Sequence, residues 1–440
     1  MNHGADTLTL KSLQIRDYRA IEKADIPLHP RLNVLIGENA TGKTTILEAI
    51  AAALWPLIRK FGTSTRPWIT VTASDFRAEA DSGFSGDQRR VPHLAVRLQS
   101  SIGSIGSHYK LEERYADRPS VAGDHESKPI EWLSDLLERG ETAPVLAYYR
   151  DDRGQLHNGR EKTSRRSSSS RESAYLMAFG ARVYFDDAVA WFEDAENAEL
   201  RDQRERGANW IDHRLAAVRA AVEKLVPEVS DLRMLGRPPQ LAMTLRTDDQ
   251  ETRLLTAGQL SSGFRTMVAL AMDLARRMAD LNPHLPDPTQ SPGIVLIDEI
   301  DLHLHPRWQQ LVVKGLLEAF PNVQFVMTTH SPQVLTTLRE ENILKLKWHA
   351  NHLSFEPVPS TEGAEAGRLL TSAMGVSERP PADISPFVAA LEDYLVFLRS
   401  GQADTPAAQK VLKRMQEISS DDPVLATLDL EKRRLAARRG

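Results

Sequence analysis

The chain predicts an α/β fold with a mixed central sheet, and three features of the sequence predict it. Gly37-Glu38-Asn39-Ala40-Thr41-Gly42-Lys43-Thr44 stands between an apolar run, Leu32–Ile36, and a helix-forming run that starts at Thr45. Gly293–Ile297 is a short continuous apolar run, the pattern of a parallel strand buried on both faces, and Val323–Thr328 reads as another buried strand. From about residue 380 the character changes to three short helical segments, 386–399, 405–418 and 423–439, separated by turn residues.

The octet reads G-x-x-x-x-G-K-[ST] in the strand-to-helix setting that a phosphate-cradling loop requires. Its glycines let backbone N–H groups turn inward around phosphates, and the helix N-terminus adds partial positive charge. Gly37, Glu38, Asn39, Ala40, Thr41, Gly42, Lys43, Thr44 and Thr45 are therefore the expected nucleotide-binding residues. Lys43 is placed for the β- and γ-phosphates, and the Thr44 hydroxyl for Mg²⁺.

Before the loop, residues 8–15 alternate as a strand, with a turn near 27–30. After it, a helix is expected to about residue 61, kinked or divided at Pro56. Residues 91–99 and 107–115 read as a hairpin, and 144–149 as a buried strand. The basic, Ser-rich stretch 159–173 has no periodicity and reads as a surface loop, with a phosphate-backbone contact as the alternative. Residues 184–206 and 210–225 have helical patterns broken at Gly207, a pair expected to project from the core but too short for a long coiled-coil arm. Strand-like sequence from 234 to 255, with a turn at Asp248-Asp249, precedes an apolar helix over 259–280. Pro-rich sequence over 283–292 is a surface connection, and 308–320 is a further helix.

Asp298 and Glu299 follow the apolar run Gly293–Ile297 directly. Neighbouring strand residues point in opposite directions, so the two carboxylates should have different tasks. Asp298 is expected to hold Mg²⁺ with Thr44, and Glu299 to polarise the attacking water. Leu260-Ser261-Ser262-Gly263 opens the apolar helix 37 residues before Asp298, with Ser261 a good N-cap in its own right. His330 ends the next apolar strand, 32 residues after Asp298, at the sheet edge where such folds bind ligands. It is expected to contact a γ-phosphate or orient the water, while Asp301 is expected to contact an opposing subunit.

Composition narrows the setting. A net charge of -5 argues against general electrostatic attraction to nucleic acid, leaving local basic patches open. The sequence has no cysteine, so disulfides and thiolate metal sites are excluded. No apolar run approaches the roughly 20 residues of a membrane span, and a cytoplasmic protein is expected.

Taken in order, the phosphate loop, Leu260 to Gly263, Asp298-Glu299, Asp301 and His330 resemble the Walker A, signature, Walker B, D-loop and H-loop series of ABC-type ATPase heads. Leu13-Gln14-Ile15-Arg16-Asp17-Tyr18-Arg19 and Asp298-Glu299-Ile300-Asp301-Leu302-His303-Leu304-His305-Pro306 are similar to the branch of SMC, RecF and overcoming-lysogeny-defect proteins. The resemblance spans about residues 8–350. It implies a P-loop NTPase head with a mixed sheet, an antiparallel β lobe, a helical insertion and a small C-terminal helical appendage. It divides the chain into 1–183 and 229–355 as the two parts of the head, 184–228 as the insertion, and 356–440 as a hairpin and helical tail that binds a partner.

It also implies ATP and Mg²⁺ as ligands and a homodimer, or a higher oligomer, that sandwiches two ATP molecules. Ser261 and the N–H of Gly263 would then meet the γ-phosphate held by the other subunit, and Arg19 would touch nucleotide. Ser262 stands where many members carry Gly, and no glutamine can be placed as that of the Q-loop. Lys43 and Ser261 lie only 218 residues apart, too close for the long coiled coil of SMC proteins, and no nuclease sequence follows His330. The whole is most similar to the ATPase subunits of two-gene anti-phage systems of the Septu and retron-associated type, which work with a separate HNH nuclease. A RecF-like ATPase that binds DNA in repair is the alternative.

Overall fold

The computed structural model describes residues 8–61, 75, 77–78, 89–90, 93–100, 128–150, 170–179, 185–247, 249, 251–349 and 352–437. Most of the Ser-rich stretch and the expected strand over 107–115 lie outside them. The chain forms two compact units, Met1–Leu369 and Leu370–Gly440.

The first unit holds fourteen strands in chain order among the described residues: β1 (Leu8–Tyr18), β2 (Ile21–Pro27), β3 (Leu32–Ile36), β4 (Arg77–Ala78), β5 (Arg89–Arg90), β6 (His93–Ser100), β7 (Val145–Tyr149), β8 (Val229–Leu235), β9 (Gln240–Arg246), β10 (Thr252–Thr256), β11 (Gly293–Ile297), β12 (Val323–Thr328), β13 (Ile343–His349) and β14 (His352–Glu356). Its helices are α1 (Lys43–Ile58), α2 (Lys128–Glu138), α3 (Phe185–Arg206), α4 (His213–Leu225), α5 (Ser262–Leu281), α6 (Pro306–Ala319) and α7 (Pro332–Leu335), and α8 (Ala366–Ser372) spans the boundary.

One nine-stranded sheet runs β6-β1-β2-β14-β13-β3-β12-β11-β7. From β13 to β7 all neighbours are parallel, whereas β6, β1 and β2 pair antiparallel, so the sheet is mixed. Every residue of β3, β7, β11 and β12 is buried, which is why β7 and β11 read as unbroken apolar runs and β3 and β12 as mostly apolar ones, interrupted by Asn33 and by Gln324 and Thr328. Because β3, β12, β11 and β7 are parallel, the loops after them emerge along one edge of the sheet. Strands β10-β9-β8 form a separate antiparallel sheet.

Gln324 is the polar exception inside β12, at 1% exposure. Its amide accepts from Leu10 N–H at 2.6 Å and donates to the carbonyls of Leu10 and His29, each at 2.8 Å. It thereby satisfies β1 where the β1–β6 register slips between Leu10 and Ser12. Gln324→Leu should leave both backbone groups of Leu10 buried without this partner. At about 1–3 kcal/mol for each orphaned group, a loss of about 2–6 kcal/mol is expected as a clear fall in thermal midpoint. An unchanged midpoint would show that β1 finds other partners.

The helical pair differs from expectation. Helices α3 and α4 are present, with Asp212 capping α4, but α4 is no projection: Leu215, Val218, Ala221, Val222 and Leu225 are buried, and α4 packs on α5 and α6. Its apolar stripe is the physical reason, because a solvent-borne arm would have nowhere to bury it. The hairpin β13–β14 belongs to the main sheet through β13–β3 and β14–β2. Helix α1 carries Pro56 in its last turn and continues as a single 3₁₀ turn to Phe61.

The second unit contains α9 (Pro386–Arg399), α10 (Pro406–Ile418) and α11 (Pro423–Ala437). Each begins with a polar residue before a proline: Ser385, Thr405 and Asp422 accept N–H bonds from Val388, Ala408 and Val424. A capping oxygen and a preset φ start a helix at the same point, so these boundaries were readable locally. Phe387, Leu391, Tyr394, Leu398, Met415 and Leu428 form their shared core. Among the described residues no helix is long and apolar enough to cross a membrane.

Candidate functional site

The phosphate loop leaves β3 at Gly37 and enters α1 through Gly42, whose φ of 96° is left-handed and suits glycine. Thr41 Oγ1 closes the loop on the Glu38 carbonyl at 2.8 Å. Lys43 is only 7% exposed, and its Nζ donates to the carbonyls of Gly37 and Glu38 at 2.9 and 2.8 Å. Burial lowers the pKa of this ammonium from its ordinary value, opposed by the nearby Asp298, Glu299 and Asp301 carboxylates.

The end of β11 meets this loop and is braced by the ends of β12 and β7. Thr44 Oγ1 donates to Asp298 Oδ2 at 2.8 Å, joining positions 254 residues apart in sequence. The other carboxylate oxygen, Asp298 Oδ1, accepts from Thr328 Oγ1 at 2.5 Å, and Asp298 N–H donates to the Tyr149 carbonyl at 2.8 Å. Glu299 has a φ of 47°, a left-handed backbone that costs a non-glycine residue about 1–3 kcal/mol and persists where its surroundings over-determine it. Its N–H donates to Thr328 Oγ1 at 2.7 Å, and the following Ile300 N–H donates to the Thr328 carbonyl at 3.0 Å.

Asp301 Oδ1 accepts from Thr329 Oγ1 at 2.6 Å and from His330 N–H at 3.3 Å. It therefore binds the segment after β12 within its own chain, while the His330 side chain is exposed. Lys43, Thr44, Asp298, Glu299, Asp301 and His330 are thus joined through short chains of contacts at one sheet edge.

Ser261 and Gly263 are built on a neighbouring wall. Ser261 is exposed and caps α5, its Oγ accepting from Phe264 N–H at 3.4 Å. Among the described residues no hydrogen bond joins Ser261 to the phosphate loop. Gly263 is buried: a Cβ there would lie 2.6 Å from the His303 carbonyl oxygen, on a turn where His303 has a φ of 62°. The start of α5 is therefore held against the Asp301–Leu304 turn, helped by the edge-on contact of Phe264 with Trp308. Gly263→Ala should push backbone against backbone and cost about 1–3 kcal/mol, read as a drop of a few degrees in thermal midpoint. An unaltered midpoint would mean that the turn yields freely.

Arg19 lies elsewhere in the network. It pairs with Glu48 of α1 and, at 2.8 Å, with Asp75; Arg150 at the end of β7 pairs with the other Glu48 oxygen at 3.0 Å. Sequence reasoning passed over Glu48, Thr328 and Tyr149. Thr328 carried one usable signal, a hydroxyl two residues before His330 at the end of a mostly apolar strand. Behind the site, the buried Tyr149 hydroxyl donates to Asp273 Oδ2 at 2.9 Å, and Asp273 also accepts from Arg276 and Arg277, at 2.7 Å each. Burial and the Asp273 charge raise the pKa of the Tyr149 phenol well above its ordinary value, so it stays a donor that ties β7 to α5.

The donor set suits Mg²⁺ chemically. A hydroxyl and a carboxylate, 2.8 Å apart beside a buried ammonium, are hard oxygen ligands of the kind Mg²⁺ takes in small number alongside substrate phosphates.

The chain is similar to several known proteins. Residues 32–336 match the family model described as "AAA domain, putative AbiEii toxin, Type IV TA system". The chain is 26% identical over 464 residues to the retron Vc95 probable ATPase of Vibrio cholerae, covering 92% of this chain and 86% of that protein. It is 33% identical over 177 residues to the Septu protein PtuA of Bacillus mycoides, covering 39% of this chain and 24% of that one. Among solved structures, the SMC head domain from Thermotoga maritima gives a TM-score of 0.43 at 14% identity, over 80% of this chain and all of that one.

Proposed function

The chain belongs to this AAA-domain family, and from that premise we propose that it is the ATPase subunit of a cytoplasmic anti-phage defence system, controlling a separately encoded nuclease. It is an ATPase. The observation that carries its chemistry is the Thr44–Asp298 hydrogen bond, which sets the phosphate loop against the carboxylate pair. The defence role is supported by similarity to a retron probable ATPase across nearly the whole chain.

In this reading the loop N–H groups and Lys43 bind the β- and γ-phosphates of ATP, with Gly37 to Thr45 as the cradle. Thr44 and Asp298 hold Mg²⁺, which when bound draws charge from the phosphate oxygens. Glu299 accepts a proton from the attacking water, and His330 orients that water or touches the γ-phosphate. Asp301 steadies the His330 backbone. Two copies close head to head around two ATP molecules, each presenting Ser261 and Gly263 to the nucleotide held by the other. The exposure of Ser261 at the start of α5 supports that arrangement. Arg19, held by Glu48 and Asp75, borders the loop side of α1 and stays a candidate nucleotide contact.

The test is purification of the tagged protein from its native host, with the co-eluting chains identified by mass and their ATP dependence followed. An HNH-type nuclease that remains bound or leaves with nucleotide state supports the proposal. A lone homodimer whose hydrolysis rises with duplex DNA, and falls steeply with salt, would replace it with the repair reading.

A further inference from the structure

Thr328 is fully buried at the end of β12, paired in register with Leu35 of β3. One hydroxyl and one carbonyl of this residue grip three consecutive positions: the Asp298 carboxylate, the Glu299 N–H and the Ile300 N–H. The direction of these bonds is determined. The Glu299 amide can only donate, so Thr328 Oγ1 accepts from it and must send its single proton to Asp298 Oδ1. Oδ1 is thereby held toward β12, and Oδ2, the one bonded by Thr44, is the oxygen turned toward the phosphate loop.

We propose that Thr328 is the positioning residue of the site, its hydroxyl fixing which carboxylate edge of Asp298 meets the metal and holding Glu299 in the left-handed backbone that aims its carboxylate. This rests on the reading of Asp298 as metal-holding and Glu299 as base. Thr328 acts through Asp298 and Glu299, the residues its hydroxyl bonds. It couples the two acidic residues, so that metal affinity and proton transfer depend on one hydroxyl.

The test compares Thr328→Val, which keeps the shape and removes the hydroxyl, with Thr328→Ser, which keeps the hydroxyl. Binding of Mn²⁺ in the presence of a non-hydrolysable ATP analogue is read by electron paramagnetic resonance. ATP binding in chelator and turnover at saturating nucleotide and Mg²⁺ are measured beside it. Thr328→Val should weaken Mn²⁺ binding about tenfold and lower turnover about a hundredfold, with metal-free ATP binding within threefold of wild type. Thr328→Ser should restore both metal binding and turnover to within threefold. If Thr328→Val is not recovered folded, Thr328→Ala is expected to give the same pattern.

A valine or alanine variant with wild-type metal binding and turnover overturns the proposal. So does a serine variant as impaired as valine, because shape rather than the hydroxyl would then matter. A wild-type protein that neither binds Mn²⁺ with the analogue nor hydrolyses ATP would instead sink the ATPase reading itself, and this proposal with it.

Discussion

Lys43→Ala protein should lose ATP binding by about a hundredfold or more while remaining folded. In the wild type the Lys43 ammonium is buried and spans the loop from Gly37 to Glu38, with Asp298, Glu299 and Asp301 close enough to oppose its desolvation. It is a cation within the influence of these three carboxylates. An arriving polyphosphate exchanges the two carbonyl contacts for charge-assisted bonds worth about 1.5–3 kcal/mol each. With alanine in place, those bonds are gone and the anionic ligand faces uncompensated carboxylates in a poorly solvated site. Two such bonds correspond to about two to four decades in the dissociation constant. Titration with a fluorescent ATP analogue, alongside circular dichroism, measures both halves of the expectation. Affinity within threefold of wild type would remove Lys43 from the phosphate site.

Glu299→Gln should separate binding from turnover. The substitution keeps size and hydrogen-bonding capacity but removes the proton acceptor, so ATP affinity should stay within threefold while single-turnover hydrolysis falls by about 10²–10⁴. Glu299 is suited to the task by its setting: Asp298 is tied down through both carboxylate oxygens, whereas the Glu299 backbone is held through its N–H to Thr328. One residue is thereby fixed for holding a cation and its neighbour is aimed separately. With hydrolysis blocked, a closed two-copy state should persist, seen as a shift to larger size in gel filtration with ATP and Mg²⁺. Hydrolysis at the wild-type rate would transfer the base role to another group. Normal loss of hydrolysis without the size shift would instead count against head-to-head closure.

The two variants therefore probe different physical steps. Lys43 acts on the charge of the bound anion, present before any bond changes, so its loss is read in affinity. Glu299 acts when a proton leaves water, so its loss is read in rate.

Much of this was legible in the chain because it is locally encoded. The turn from β3 into α1 depends on a left-handed glycine at position 42 and a lysine beside it, all within eight consecutive residues. Family membership followed from the ordered motifs, and the mixed α/β sheet from short, mostly apolar runs of the kind that strands buried on both faces tolerate. The three C-terminal helices announced themselves by a capping oxygen before a proline. What the tertiary structure alone decided is which side chains meet across those elements. Gln324 and Thr328 look like ordinary polar residues in one strand, yet the first satisfies Leu10, 314 positions away, and the second holds Asp298, 30 positions away. Arg19 found Glu48 and Asp75, and α4, of the helical pair expected to project, packs on the core because it carries an apolar stripe. A phosphate loop specifies its own geometry over one turn of backbone, whereas a cross-strand partner depends on register and curvature set by the whole sheet.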